Sequence, residues 1–227
     1  MLLEQHLIIP DWPAPPNVRA LQTTRLGGSS LAPYDSLNLG EPAGDDALKV
    51  AANRQRLTPF LPTEPLWLKQ VHGIEVVNAA LASRLPQADA AYATAANAVC
   101  TALTADCLPV LLCDVAGSVV GAAHAGWRGL AAGVIEATVS AMQVPPEQIM
   151  AWLGPAIGPQ AFEVGDDVRT VFVAHDTNAS AAFTLSPSCS QSERGEYLAD
   201  IYLLARQRLQ ALGITQIYGG GYCTYSE

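Results

Sequence analysis

A cysteine and two histidines are the residues of this chain best suited to chemistry. Cys107 and His124 lie 17 residues apart, and His72 precedes the cysteine by 35 residues. Two apolar runs, 108–113 and 118–123, separate Cys107 from His124 and are typical of short buried strands. Cys107 would stand just before the first strand and His124 just after the second. If the two strands pair as a hairpin, these side chains meet at one end of it.

Two imidazoles and one thiolate make a set of three metal ligands. Catalytic zinc sites use three protein ligands and keep a fourth position for water or substrate. Zinc lowers the pKa of a bound water molecule to about 7, which supplies hydroxide at neutral pH. Gly73 and Gly126, beside two of the ligands, would let the backbone turn tightly there. The sequence therefore predicts a metal site at His72, Cys107 and His124.

The identity of the metal stays open, because two histidines and one cysteine also suit copper. A multicopper oxidase, however, needs a histidine-rich cluster. The chain has four histidines, so only His6 and His175 remain outside the predicted site. The number of ligands therefore disfavours a conventional multicopper site.

Other interpretations of the same three residues remain. Cys107 could act without a metal, as a nucleophile with His124 as its general base, which is the arrangement of a cysteine hydrolase. A metal-binding or partner-binding module without catalysis is a further hypothesis. A cysteine or histidine beside a buried strand is also often a packing residue.

A positively charged segment follows the second strand. Residues 126–129 open a predicted helix over 128–142, and free N–H groups, the helix dipole and Arg128 together favour an anion such as phosphate. Arg25, beside a pair of glycines, offers a second cation. Asp106 and Glu163 could carry protons. The alternatives are a surface salt bridge for Arg128, and a cap or turn position for each acid.

The composition limits the kind of protein. Of 227 residues, half are apolar and 15% are charged, with a net charge of −9. This predicts a folded domain that binds neither nucleic acid nor a membrane surface, since both select basic faces. No apolar run reaches the roughly 18 residues of a membrane helix, and nothing resembles a signal peptide. Five scattered cysteines do not suggest disulfides, so we expect a cytoplasmic protein.

Helices and strands mix without a strict alternation, which predicts an α+β fold with mixed β-sheets. We expect a polar segment, 186–195, to be mobile. The predicted helices are 45–60, 128–142, 167–174 and 197–212. The predicted strands are 18–24, 66–70 paired with 74–78, 89–94, 97–103, 108–113, 118–123, 149–153, 215–218 and 222–225.

Six motifs, spread over nearly the whole chain, resemble one known family. The chain resembles the YfiH family, also called laccase-domain or multicopper polyphenol oxidoreductase proteins, whose bacterial members are also called peptidoglycan editing factor. The motifs are Ser36-Leu37-Asn38-Leu39-Gly40, Trp67-Leu68-Lys69-Gln70-Val71-His72-Gly73, Thr104-Ala105-Asp106-Cys107-Leu108-Pro109-Val110, His124-Ala125-Gly126-Trp127-Arg128-Gly129, Leu153-Gly154-Pro155-Ala156-Ile157-Gly158-Pro159 with Phe162-Glu163-Val164-Gly165, and Cys223-Thr224-Tyr225.

The resemblance implies an α/β/β/α sandwich related in fold to a bacterial toxin's cysteine hydrolase domain. It implies zinc at the three ligands and purine nucleoside phosphorylase activity on adenosine, inosine, guanosine and methylthioadenosine, with adenosine deaminase activity. The alternatives are a copper polyphenol oxidase and a cysteine hydrolase or peptidoglycan-precursor editing enzyme with Cys107 as nucleophile. The oligomeric state stays open between a monomer and a weak dimer.

The family normally continues past the Cys-Thr-Tyr-Ser stretch with an aromatic- and arginine-bearing strand. We therefore expect one domain, 1–227, whose last strand is missing. The residues assigned to the site are Cys107, His124 and Asp106 as catalytic residues, Arg128, Arg25, Gln70, Asn38 and Glu163 as substrate-binding residues, and His72, Cys107 and His124 as metal ligands.

Overall fold

The computed structural model describes residues 2–187 and 196–227. A six-stranded sheet forms its centre, in the order β11-β7-β5-β6-β4-β3. Most of the segment predicted to be mobile, together with Cys189, lies outside the described residues. The six strands are β3 (Val76–Asn78), β4 (Ala90–Ala93), β5 (Leu108–Asp114), β6 (Val120–Ala125), β7 (Ile149–Leu153) and β11 (Gln216–Gly219).

The predicted hairpin is confirmed, since β5 and β6 pair in antiparallel register with Pro109 opposite His124. The outer pairs β3–β4 and β7–β11 are parallel, whereas the inner pairs are antiparallel. Two antiparallel sheets are smaller. They comprise β1 (Leu7–Ile8) with β2 (Gln22–Thr23), and β8 (Glu163–Gly165), β10 (Glu196–Ala199) and β9 (Phe183–Leu185). The predicted α+β class with a mixed sheet is therefore confirmed.

Alternate residues of β5 belong to the main hydrophobic core. Leu108, Val110 and Leu112 are at most 1% exposed, and Leu130 and Val134 belong to the same buried cluster. The period of two along the strand puts these three side chains on one face of the sheet.

Five α-helices accompany the sheets in the described residues. The helices are α1 (Ala47–Leu57), α2 (Trp127–Ala132), α3 (Val134–Met142), α4 (Asp166–His175) and α5 (Ile201–Ala211).

Two predicted helices were wrong in part. The helix predicted over 128–142 is two helices, because Gly133 adopts φ +105° between α2 and α3. The helix predicted over 197–212 begins only at Ile201, after the side chain of Asp200 accepts a hydrogen bond from the Leu203 N–H. Its first predicted residues instead form β10, which pairs with both β8 and β9.

Several predicted strands were also wrong. Segments 66–70 and 74–78 do not pair with each other. Lys69 bridges Gln87, and β3 pairs with β4. Segments 97–103 and 222–225 contain no strand, and only Gln22–Thr23 of 18–24 forms one. Across the described part of the chain, no helix has the length and apolar character needed to cross a bilayer.

Candidate metal centre

The structure brings His72, Cys107 and His124 together. One ligand atom from each lies within 4.8 Å of the others. Cys107 Sγ is 3.8 Å from His72 Nε2, and the two imidazole centroids are 4.7 Å apart at 71°. Cys107 immediately precedes β5 as predicted, but His124 lies inside β6, which continues to Ala125. His72 is exposed, Cys107 half-buried and His124 buried, so the cluster opens to solvent on the His72 side.

The tight turns predicted at Gly73 and Gly126 do not use a positive φ at either glycine. The strained backbone belongs to His72 itself, with φ +60°. Gly126 is required for space, because a Cβ there would lie 2.8 Å from Cys107 Sγ and 3.0 Å from His72 Cδ2. The absence of a side chain at Gly126 therefore lets the thiol and the imidazole approach each other.

Sequence reasoning missed Asp89, a carboxylate that contacts two of the donors. It accepts hydrogen bonds from the backbone N–H groups of Val71, His72 and Gly73 at 3.1, 2.9 and 2.7 Å. Its Oδ1 is also 2.8 Å from His124 Nδ1. In the sequence, the only available signal was a single acid next to the alanine-rich segment 90–93, and it did not indicate that Asp89 would be 0% exposed.

Burial and hydrogen bonding determine the charge states of Asp89 and His124. Burial raises the pKa of Asp89, but the hydrogen bonds from His124 and residues 71–73 outweigh burial and leave the pKa below its ordinary value. Burial lowers the pKa of His124, partly opposed by its hydrogen bond to Asp89. The carboxylate is therefore ionised and the ring neutral at pH 7. An ionised carboxylate can only accept, so His124 donates from Nδ1.

The pKa of the Cys107 thiol is raised, whereas those of Asp89 and His124 are lowered. Burial raises the pKa of Cys107, and the negative charges of Asp106 and Asp89 raise it further, while Arg128 lowers it. The Arg128 side chain is exposed, with its guanidinium 4.5 Å from the centre of the Trp127 ring. A thiol with a raised pKa is a weak nucleophile on its own, whereas a coordinated thiol is deprotonated outright.

The donor set fits a zinc ion. Bonds of about 2.0–2.1 Å to nitrogen and about 2.3 Å to sulfur place these two atoms about 3.6 Å apart across a tetrahedral angle. The observed separation of Cys107 Sγ and His72 Nε2 is 3.8 Å. Within residues 2–187 and 196–227, this is the one group of three or more histidine, cysteine or acidic residues close enough to share an ion.

Other predicted site residues have specific partners. Asp106 accepts a 2.6 Å hydrogen bond from the Thr224 hydroxyl, which joins the C-terminal segment to the residue before Cys107. The Gln70 amide makes two hydrogen bonds with the backbone of Leu103, at 2.8 and 2.7 Å. Gln70 therefore has a structural role that the sequence did not predict.

Three further residues predicted to bind substrate also pair within the fold, and none of these partners is a member of the donor cluster. The pairs are Arg25–Asp35 at 3.2 Å, Asn38–Asp45 at 3.2 Å and Glu163–Ser186. The structure thus brings His72, Cys107 and His124 together in space, and Asp106 is next to Cys107 in the sequence. Arg128 is close enough to lower the pKa of Cys107.

A mixed-sheet α+β fold with an open two-histidine, one-cysteine donor cluster defines the class of protein to which this chain belongs. The family model described as "Multi-copper polyphenol oxidoreductase laccase" matches residues 19–227. The chain therefore belongs to this family, as the motifs predicted.

Its relatives carry a more specific name. The chain is 55% identical over 220 residues to a purine nucleoside phosphorylase of Pseudomonas aeruginosa, covering 97% of this chain and 88% of that protein. It is 54% identical over 226 residues to the Escherichia coli purine nucleoside phosphorylase YfiH, covering 97% and 89%. A Neisseria meningitidis crystal structure superposes with a TM-score of 0.88 at 47% identity, covering 96% of this chain and 88% of that one.

Proposed function

We propose that this protein is a zinc-dependent purine nucleoside phosphorylase. Its substrates would be adenosine, inosine, guanosine and methylthioadenosine, with adenosine deaminase as an accompanying activity in the cytoplasm. The main observation in support is that ligand atoms of His72, Cys107 and His124 lie within 4.8 Å of one another at a position open to solvent. The names of relatives at 54–55% identity support the choice of reaction.

Phosphorolysis exchanges one bond at the ribose. A phosphate oxygen attacks C1′, the C1′–N9 bond breaks, and the purine leaves with that electron pair and takes up a proton. The exposed guanidinium of Arg128 would hold the phosphate beside the donor cluster. Fixing the phosphate and nucleoside in line removes much of the entropic barrier to their reaction.

Deamination would use water instead of phosphate. Water adds to C6 of the purine, and the C6–N6 bond breaks. One proton of the water ends on N1 and the other on the amino group, which leaves as ammonia. The Asp106 carboxylate would accept each proton from the water and pass it on. A zinc ion held by the three donors would supply Lewis-acid chemistry, which makes water nucleophilic near neutral pH. Thr224 would orient Asp106 through its 2.6 Å hydrogen bond.

Chromatography of nucleoside reactions tests this proposal. With adenosine and phosphate we expect adenine and ribose 1-phosphate, together with inosine and the hypoxanthine formed from it, and without phosphate we expect inosine only. Cys107→Ser should abolish both products. The matched control is Cys113→Ala, because Cys113 lies near the other end of β5 and should leave turnover nearly unchanged. Neither adenine nor inosine from zinc-loaded protein would reject the proposal.

A copper-dependent polyphenol oxidase is the second candidate, because the family description names that activity. The donor cluster has three ligands, and the other two histidines have other contacts. The Leu3 N–H donates to His6 Nδ1 at 3.3 Å, and Arg208 contacts His175 at 2.8 Å. Metal analysis of purified protein separates the two candidates, since several equivalents of copper would favour the oxidase.

A metal-free cysteine hydrolase, including one that edits a peptidoglycan precursor, is the third candidate. The 3.8 Å approach of Cys107 Sγ to His72 Nε2 favours it, whereas the raised pKa of the thiol opposes it. Activity that survives chelation but is lost on alkylation of Cys107 would establish the hydrolase. We expect chelation to abolish turnover.

A further inference from the structure

Asp89 is not one of the three donors, yet it contacts two of them by different routes. It meets His124 through the ring and His72 through the backbone. We propose that Asp89 is the positioning residue of this site, which fixes the proton of His124 on Nδ1 and holds the turn that carries His72. This inference rests on the proposed metal site, but its first test needs no metal.

The ring contact determines which nitrogen of His124 carries the proton. Both Asp89 oxygens already accept backbone N–H groups, and the side chain is 0% exposed. The ring nitrogen 2.8 Å from Oδ1 must therefore donate. A neutral ring protonated on Nδ1 keeps its lone pair on Nε2, and that lone pair is what a metal needs.

The backbone contacts determine the position of His72. Its φ of +60° lies in a region that residues other than glycine rarely adopt. Three consecutive N–H groups, from residues 71–73, converge on the Asp89 carboxylate at 2.7–3.1 Å. The carboxylate thus stabilises a turn that would otherwise be strained, and it does so at the residue that must face Cys107.

The sheet holds Asp89 and His124 opposite each other. Asp89 immediately precedes β4, whose first residue, Ala90, pairs with Ala123 of β6. The His124 N–H donates to the Asp89 carbonyl at 2.7 Å. Main chain and side chain therefore both join these two residues, so the orientation of the His124 ring follows from the strand register.

The wild-type protein provides the first test. In metal-free protein labelled with ¹⁵N, long-range proton–nitrogen correlations report which ring nitrogen of His124 is protonated. We expect a proton on Nδ1. A His124 ring protonated on Nε2 would overturn the proposal, whatever the protein binds or catalyses.

The second test compares two buried carboxylates. Asp114 accepts hydrogen bonds from the Ser118 N–H, the Ser118 hydroxyl and the Val119 N–H, and it contacts none of the three donors. Competition with a chromophoric chelator should show zinc binding weakened about 10–100-fold in Asp89→Asn, the usual loss when a ligand's outer partner is removed. Asp114→Asn should leave the affinity within about twofold.

Equal zinc affinities for the two variants would show that Asp89 is only structural and would overturn the proposal. If Asp89→Asn does not fold, the tautomer of wild-type His124 still decides. If wild-type protein binds no zinc at all, the proposed function fails, while the tautomer still shows whether Asp89 orients the ring.

Discussion

The two ends of the β5–β6 hairpin carry similar chemical groups with different neighbours. The turn end has a buried acid and a thiol, Asp114 and Cys113, and the other end has Asp89 and Cys107. Both acids are at most 2% exposed, and backbone N–H groups help to lower the pKa of each. The groups themselves therefore do not distinguish a structural end from a functional one.

The sequence separation of the partners does distinguish them. The Asp114 hydrogen bonds reach Ser118 and Val119, four and five residues away, and close one turn. The Asp89 bonds reach residues 16–18 positions before it and His124, 35 positions after it. We therefore expect Asp89 to organise the donor cluster and Asp114 to stabilise one turn.

Thiol alkylation should give the largest contrast between the two ends. Burial raises the pKa of Cys113 to about 12, so at pH 8 its thiolate fraction is about 1,000-fold below that of an ordinary thiol. We expect iodoacetamide to spare both Cys113 and Cys107 in zinc-loaded protein. After chelation it should modify Cys107 slowly but faster than Cys113, because Cys107 is half-buried whereas Cys113 is 0% exposed. Peptide mass spectrometry measures both rates. Equal labelling of the two cysteines after chelation would contradict this contrast.

Glycine substitutions should separate the ends next. In Gly126→Ala the new Cβ would displace Cys107 Sγ or His72. Because this moves a ligand itself, zinc affinity should fall at least about 100-fold, which is the upper end of the loss seen when a hydrogen-bond partner of a ligand is removed. The matched control is Gly117→Ala in the turn, where φ is +67°. The left-handed backbone alone should cost about 1–2 kcal/mol of unfolding free energy, and the Asn17 side chain must also move away from the new Cβ, but zinc binding should stay intact. Retained affinity in Gly126→Ala would show that the close approach is not needed.

The turn carboxylate should affect stability alone. Asp114→Asn replaces a charged acceptor of three hydrogen bonds, so we expect a loss of about 1–3 kcal/mol in urea unfolding at pH 7. Nucleoside turnover per folded molecule should not change. A loss of turnover at unchanged stability would show that Asp114 contributes to the site and would contradict a purely structural role for it.

Acid should reduce this stability difference. Burial raises the pKa of Asp114, but hydrogen bonds from Val119 and Ser118 lower it overall, so its folded value lies below its unfolded value of about 3.9. The stabilisation is therefore complete above the unfolded value and is lost as the pH falls through the folded one. The gap between wild type and Asp114→Asn should narrow below about pH 4. A gap independent of pH would contradict an ionised Asp114.

The sequence predicted the parts of the site that depend on local pattern. Two apolar runs with a turn between them predicted the hairpin, and the hairpin brought Cys107 to His124. The helix predicted from residue 197 failed because β8 and β9, distant in sequence, recruit residues 196–199 as a strand. Asp89 was missed for a similar reason, since its four partners lie 16–35 residues away and leave no local pattern.

X-ray absorption of the zinc-loaded protein tests the central claim most directly. If His72, Cys107 and His124 hold the ion, the first shell contains one sulfur at about 2.3 Å and nitrogen or oxygen neighbours at about 2.0–2.1 Å. Cys107→Ser should then lose the sulfur, while Cys113→Ala should keep it. A shell without sulfur, or one that Cys107→Ser does not change, would contradict the account.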